Sequence, residues 1–172
     1  DRTYWRLKPV LTSVGQLFDC SIGYTVDELK DENVVFEIGG LNRNLQRFIQ
    51  QILYAKTFEY LLAIGKRDEG MQLVFFVDEA KQLFSVYLEM QEASGMPEID
   101  DLMARSRQLG LSTIAADQEA TKLTDSLKSN TDTKILLPVN DRENLESIAK
   151  SMYLNTIQKK YLRNLDAGQA IV

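Results

Sequence analysis

The sequence predicts one α/β domain with a mostly parallel sheet and helices on both faces. Short apolar runs alternate with stretches of helical spacing about five times along the chain. Each run ends abruptly in polar residues, as strand exits do in parallel sheets, where ligands gather at the carboxyl ends. The composition is globular, with 44% hydrophobic and 26% charged residues in a chain of 172.

Residues 1–33 are a leading segment ahead of the core, residues 34–172. Leu11 to Phe18 is compatible with a short helix. Thr25 followed by Glu28 reads as a capped helical turn. Val34–Ile38, closed by Gly39-Gly40, reads as a first buried strand. Leu41, Leu45, Phe48, Ile49, Ile52 and Leu53 then recur at helical spacing. They predict a long amphipathic helix from Asn42 to Ile64, ended by Gly65. Leu73–Val77 is a second strand, and a helix through Met90 follows it. Gln91–Pro97 is a loop, with Pro97 opening a helix that Gly110 closes. The apolar stripe of that helix is Ile99, Leu102, Met103 and Leu109. Ser112–Ala116 is a third strand, and a polar helix or loop runs on to Asn130. Lys134–Leu137 is a fourth strand, stopped by Pro138. Asp141 caps a helix carrying Leu145, Ile148, Ala149 and Met152. Asn155 starts a short helix, Asp166-Ala167-Gly168 turns, and Ala170–Val172 is a last strand.

Composition narrows the chemistry. There is no histidine and one cysteine, Cys20. A Ser-His-Asp or Cys-His triad, histidine-ligated zinc or haem, and an internal disulfide are therefore excluded within these residues. The net charge of −5 is a poor overall balance for gripping nucleic acid. No apolar run approaches the ~20 residues of a membrane span, and the first residues lack a signal-peptide core. The expectation is a soluble, cytoplasmic domain. The absence of an initiator Met suggests a processed chain or a piece of a longer one. What remains for chemistry is carboxylate, amide, lysine, arginine and hydroxyl.

The strand exits carry the candidates: Gly39-Gly40, Asp78-Glu79, Asp117-Gln118 and, just past Pro138, Asn140-Asp141. In Asp78-Glu79 one carboxylate suits Mg²⁺ and its neighbour can polarise an attacking water, the Walker B arrangement. The structural alternative is a helix cap plus a favourable charge at a helix N-terminus. Gln118 places an amide where it can contact a γ-phosphate or the attacking water; the alternative is a turn residue. Arg105 and Arg107 flank the apolar stripe of their helix. Each is either a solvated charge or a finger reaching a neighbouring subunit. Lys122, Lys128, Lys159 and Lys160 read as solvated charges.

With these elements in this order, the chain resembles the HerA/FtsK clade of P-loop ATPases, in particular HerA-like, TraG-like and conjugative type IV secretion ATPases. The resemblance lies in VVFEIGGLNRNLQRFIQQIL (34–53), LVFFVDEAKQLF (73–84), ARSRQLGLSTIAADQ (104–118), SNTDTKILLPVNDRENLESIAKSM (129–152) and LRNLDAGQAIV (162–172). It spans residues 34–172 and implies a RecA-like core. It also implies that Asp78 holds Mg²⁺, Glu79 is the catalytic base, and Gln118 senses the γ-phosphate of ATP. Arg107 aligns best with the family's arginine finger, with Arg105 the alternative. It further implies a hexameric ring that translocates or processes DNA or drives conjugation or secretion.

Two departures stand out. Ala80-Lys81 stands where many HerA-like proteins carry a histidine. No G-x-x-x-x-G-K-[S/T] occurs: the Gly65-Lys66 pair has Tyr60 and Arg67 at the other required positions. The expectation is a partial RecA-like domain over 1–172, the later part of the ATPase unit, inactive alone without the missing phosphate loop. A non-catalytic scaffold that docks on partner ATPases is the alternative. A phosphoacceptor receiver domain fits poorly, since its acid pair belongs on the first strand and here falls on the second.

Overall fold

The structure is a computed structural model that describes residues 8, 12, 15, 19–65, 70–89 and 98–172. Thr12 and Gly15 are helical; the rest of the Leu11–Phe18 expectation, Met90, the Gln91–Pro97 loop and Pro97 lie outside the described residues. The fold is mixed α/β, built on a two-stranded parallel sheet.

Helix α1 (Val26–Leu29) begins at the expected capping box, in which the Thr25 hydroxyl accepts from the Glu28 N–H and Glu28 accepts from the Thr25 backbone. Helix α2 (Arg43–Ile64) is capped by Asn42 and ends at Gly65 in the left-handed conformation (φ 72°). Its buried face is Tyr54, Phe58 and Leu61, with Leu45 buried nearer its start, whereas Ile52 of the expected stripe is exposed.

Strand β1 (Leu73–Val77) pairs in parallel with β2 (Leu111–Ala115), Leu73 opposite Leu111 and Val77 opposite Ala115. Helix α3 (Val86–Glu89) follows β1, and α4 (Glu98–Ser106) precedes β2. Ile99, Met103 and Leu109 are buried as expected and Leu102 partly so. The Tyr54 ring meets Phe75 edge-on at 5.1 Å, and its hydroxyl bonds Thr113 Oγ1 at 3.0 Å. Tyr54 thus ties α2 to both strands, and burial pushes its phenol pKa up. Helices α2 and α4 join this core cluster from one side. The alternate residues Val74, Phe76 and Ile114 are 46%, 63% and 50% exposed, so the second face is not covered among the described residues.

Helix α5 (Asp125–Asn130) starts at Thr124, whose hydroxyl accepts from the Leu127 N–H and donates to buried Asp100. Helices α6 (Arg142–Ser151) and α7 (Thr156–Leu162) start at Asp141 and Asn155, as predicted. With Leu136, Leu145 and Leu162 they form a second apolar cluster. The seam to the first is polar: Asn144 accepts from Thr121, and Ser147 donates to the Ala120 carbonyl.

Three expected strands change. Val34–Ile38 is not a strand; Val35 is 82% exposed. A strand needs a ladder partner for its polar backbone. Here the Gln46 side chain of α2 instead donates to the carbonyls of Ile38 and Leu41, and so holds the segment as a lead-in to the helix. The fourth and last strands shrink to one antiparallel bridge between Leu136 and Ile171. The sheet among the described residues is therefore two strands, parallel as expected but narrower, with helices on one face.

Candidate functional site

The parallel register builds the site. Because Val77 lies opposite Ala115, the two chains leave the sheet side by side, and Asp78-Glu79 emerges next to Ala116-Asp117-Gln118. Backbone bonds extend the pairing past the strands: Ala116 N–H donates to the Val77 carbonyl at 2.9 Å, and Ala80 N–H to the Ala116 carbonyl at 3.0 Å.

Between them Glu79 takes the left-handed conformation (φ 52°). For a residue with a Cβ that costs about 1–2 kcal/mol. The bend turns the chain so that Ala80 is fully buried and its N–H meets Ala116. The Glu79 N–H is retained by Asp78 Oδ1 at 2.9 Å. Both carboxylates are exposed. Asp78 does not cap the turn of helix at Ala80–Gln82, since its start has no side-chain cap bond.

Asp117 is the knot of the second exit. Its side chain is 1% exposed. One oxygen accepts from the Lys81 N–H and the other from the Glu119 N–H, each at 2.7 Å. The Lys81 ammonium lies 3.0 Å from Glu119, 3.6 Å from Asp117 and 4.0 Å from Glu79. The hydrogen bond with Glu119 and the surrounding carboxylates hold the Lys81 pKa above its ordinary value, against the effect of burial. Glu119 is shifted down, first by its hydrogen bond with Lys122 and then by Lys81. Gln118 stands between these fixed residues with its side chain exposed. From the sequence Lys81 stands out only as part of the pair that replaces a histidine of the resembled family, and Asp117 only as a polar strand-exit residue. The Asp117-x-Glu119 spacing, typical of a side chain bonding the backbone two residues on, was the one signal for the turn that Asp117 holds.

Asp78, Glu79 and Gln118 therefore share one edge of the sheet, and the two arginines do not join them. Arg105 and Arg107 precede β2, at the amino edge marked by Gly110, whose carbonyl accepts from Gln72 and Leu73. Five strand residues separate the edges by about 16 Å. Arg105 pairs with Asp101 at 3.0 Å and lies 5.3 Å from the Phe58 ring centroid. Arg107 is exposed and forms neither an ion pair nor a side-chain hydrogen bond among the described residues. Of the other strand-exit candidates, Asp141 is a helix cap, and Gly39-Gly40 is an exposed turn before α2. A shallow groove of about 250 Å³, lined by Val139, Asn140, Arg142, Leu145 and Arg163, belongs to the second cluster; of the strand-exit candidates it includes Asn140, and it includes none of Asp78, Glu79, Gln118, Arg105 and Arg107.

Among the described residues no group of three or more acidic or cysteine side chains is arranged to hold a metal. The donor set at Asp78 suits a different mode. Mg²⁺ commonly takes one or two carboxylates and completes its shell with water and phosphate. Asp78 offers an exposed carboxylate with one oxygen engaged by the Glu79 N–H. No helix among the described residues is long and apolar enough to cross a membrane. Compared with known proteins, the chain matches no family model and no curated sequence.

Proposed function

We propose that the chain is part of an ATP-hydrolysing ring motor of the HerA/FtsK type, contributing the Walker B acids, the sensor amide and an arginine finger. A segment outside these 172 residues supplies the phosphate loop, since the sequence has no Walker A motif. The observation that supports this reading is the juxtaposition at one sheet edge of two exposed carboxylates and an exposed amide, the middle residue strained into φ 52°. Strain at a polar strand exit is a common mark of a functional position.

In this reading the Asp78 carboxylate holds Mg²⁺, which neutralises phosphate charge when bound. Glu79 orients the attacking water and accepts its proton at a carboxylate oxygen. That carboxylate accepts from the Gln82 side-chain amide at 3.3 Å and lies 4.0 Å from the Lys81 ammonium. Gln118 donates its amide to the γ-phosphate or the water. Arg107, unpaired and at the far edge of the sheet, acts on a neighbouring subunit's nucleotide, which calls for a ring, as in hexameric relatives of the type. Arg105, already paired with Asp101, is the weaker candidate. The work done on DNA or in secretion, and a cytoplasmic setting, belong to the same proposal.

The test is Glu79→Gln in the full-length protein. The expected result is loss of ATP turnover with retained ATP binding. Unchanged turnover, or a full-length protein without a phosphate loop, refutes the proposal and favours the docking scaffold.

A further inference from the structure

We infer that Lys81 is a positioning residue that locks Gln118 against the Glu79 turn. Residue 81 engages the second strand exit twice. Its backbone N–H donates to Asp117 at 2.7 Å, and its ammonium lies 3.0 Å from Glu119. These two acids are the immediate neighbours of Gln118 on either side. The same ammonium is 4.0 Å from the Glu79 carboxylate. One cation therefore spans both exits, and its side chain is 23% exposed, well short of a solvated surface lysine.

The physical logic is a balance of charge. Glu79, Asp117 and Glu119 converge on a small space, and without a cation among them their mutual repulsion would spread the two loops. Lys81 supplies that cation from within the β1 exit. Lys122 is bound to the far oxygen of Glu119, within its own turn, and does not bridge to Glu79. Gln118 has no side-chain hydrogen bond of its own among the described residues, so its placement rests on its two neighbours. Lys81 is no catalytic residue in this account; it acts through Asp117 and Glu119.

The catalytic consequence rests on the hydrolase proposal, and the structural consequence does not. The experiment therefore has two arms. In the 172-residue chain, nitrogen-15 relaxation is measured for wild type, Lys81→Met and Lys81→Arg. Methionine retains an apolar stem and the backbone N–H but removes the charge. The expected result is a fall in the order parameters of Gln118 and Glu119 from about 0.85 to below about 0.6 in Lys81→Met. Values in β1 and β2 should stay unchanged, and arginine should restore rigidity. In the full-length protein, Lys81→Met should lower kcat by roughly 10- to 100-fold with KM for ATP unchanged, and Lys81→Arg should recover most of it. Unchanged order parameters in Lys81→Met overturn the inference. A mobile Gln118 with an unaltered kcat overturns its catalytic half. A Gln118 that becomes mobile only in Lys81→Met, while the wild-type full-length protein does not hydrolyse ATP, supports the lock and refutes the hydrolase proposal instead.

Discussion

Replacing Gly110 with alanine should open the amino edge of the parallel pair. Gly110 sits at φ 72°, and a Cβ there would lie 2.3 Å from the Gly70 carbonyl oxygen and 3.0 Å from the Gln72 nitrogen. Both are backbone atoms, so the strands themselves must part. The left-handed conformation alone costs an alanine about 1–2 kcal/mol. Separation also endangers the bonds from Gln72 N–H (2.8 Å) and Leu73 N–H (3.2 Å) to the Gly110 carbonyl, worth about 0.5–1.5 kcal/mol each. The sum is about 2–5 kcal/mol, a drop in Tm on the order of 10 °C for a chain of this size. Gly65 provides the control. It has the same φ of 72°, with nothing within 4 Å of its added Cβ. Gly65→Ala should therefore lose only the backbone part, about 1–2 kcal/mol. Urea unfolding followed by circular dichroism reads both. Equal losses at the two positions, or a loss below about 1 kcal/mol at Gly110, would show that the close approach to β1 does not hold this edge.

Thr124→Val removes both the α5 cap and the hydroxyl donated to fully buried Asp100. It should cost about 2–4 kcal/mol by urea unfolding, and Thr124→Ser should retain most of the stability. For pH, Glu119 and Glu146 are held low, first by Lys122 and Lys159 respectively. Their contribution is present above the ordinary glutamate value near 4.5 and is lost as pH falls through the lowered folded values. Lys81 is held high, so its contribution is complete below 10.5 and is lost as pH rises through the raised folded value. Urea midpoints against pH should fall on both limbs, and Lys81→Met should flatten the alkaline one.

Local chemistry was legible wherever a few neighbouring residues suffice. Thr25 with Glu28, Asn42, Asp141 and Asn155 announced their helices because each cap bonds a backbone N–H within three residues. Gly65 and Gly110 announced helix ends because they reach φ > 0 without strain. Leu73–Val77 and Ser112–Ala116 declared strands by apolar density, the second falling one residue earlier in the structure, at Leu111–Ala115. The same density misled at Val34–Ile38, because β-branched content cannot supply a neighbouring strand. It overstated Lys134–Leu137 and Ala170–Val172 for the same reason, leaving only the Leu136–Ile171 bridge.

The sequence by itself determined the caps, the two strands and the polar residues at their exits, all set by bonds within a turn or by side-chain preference. Only the tertiary structure decided that Asp78, Glu79 and Gln118 share one edge while Arg105 and Arg107 lie at the other. That follows from the parallel register of β1 with β2, which joins segments nearly forty residues apart. It also decided the left-handed turn at Glu79 and the Lys81–Asp117 lock. Both arise because the two strand exits must satisfy each other's backbone and charge, a demand neither segment carries alone.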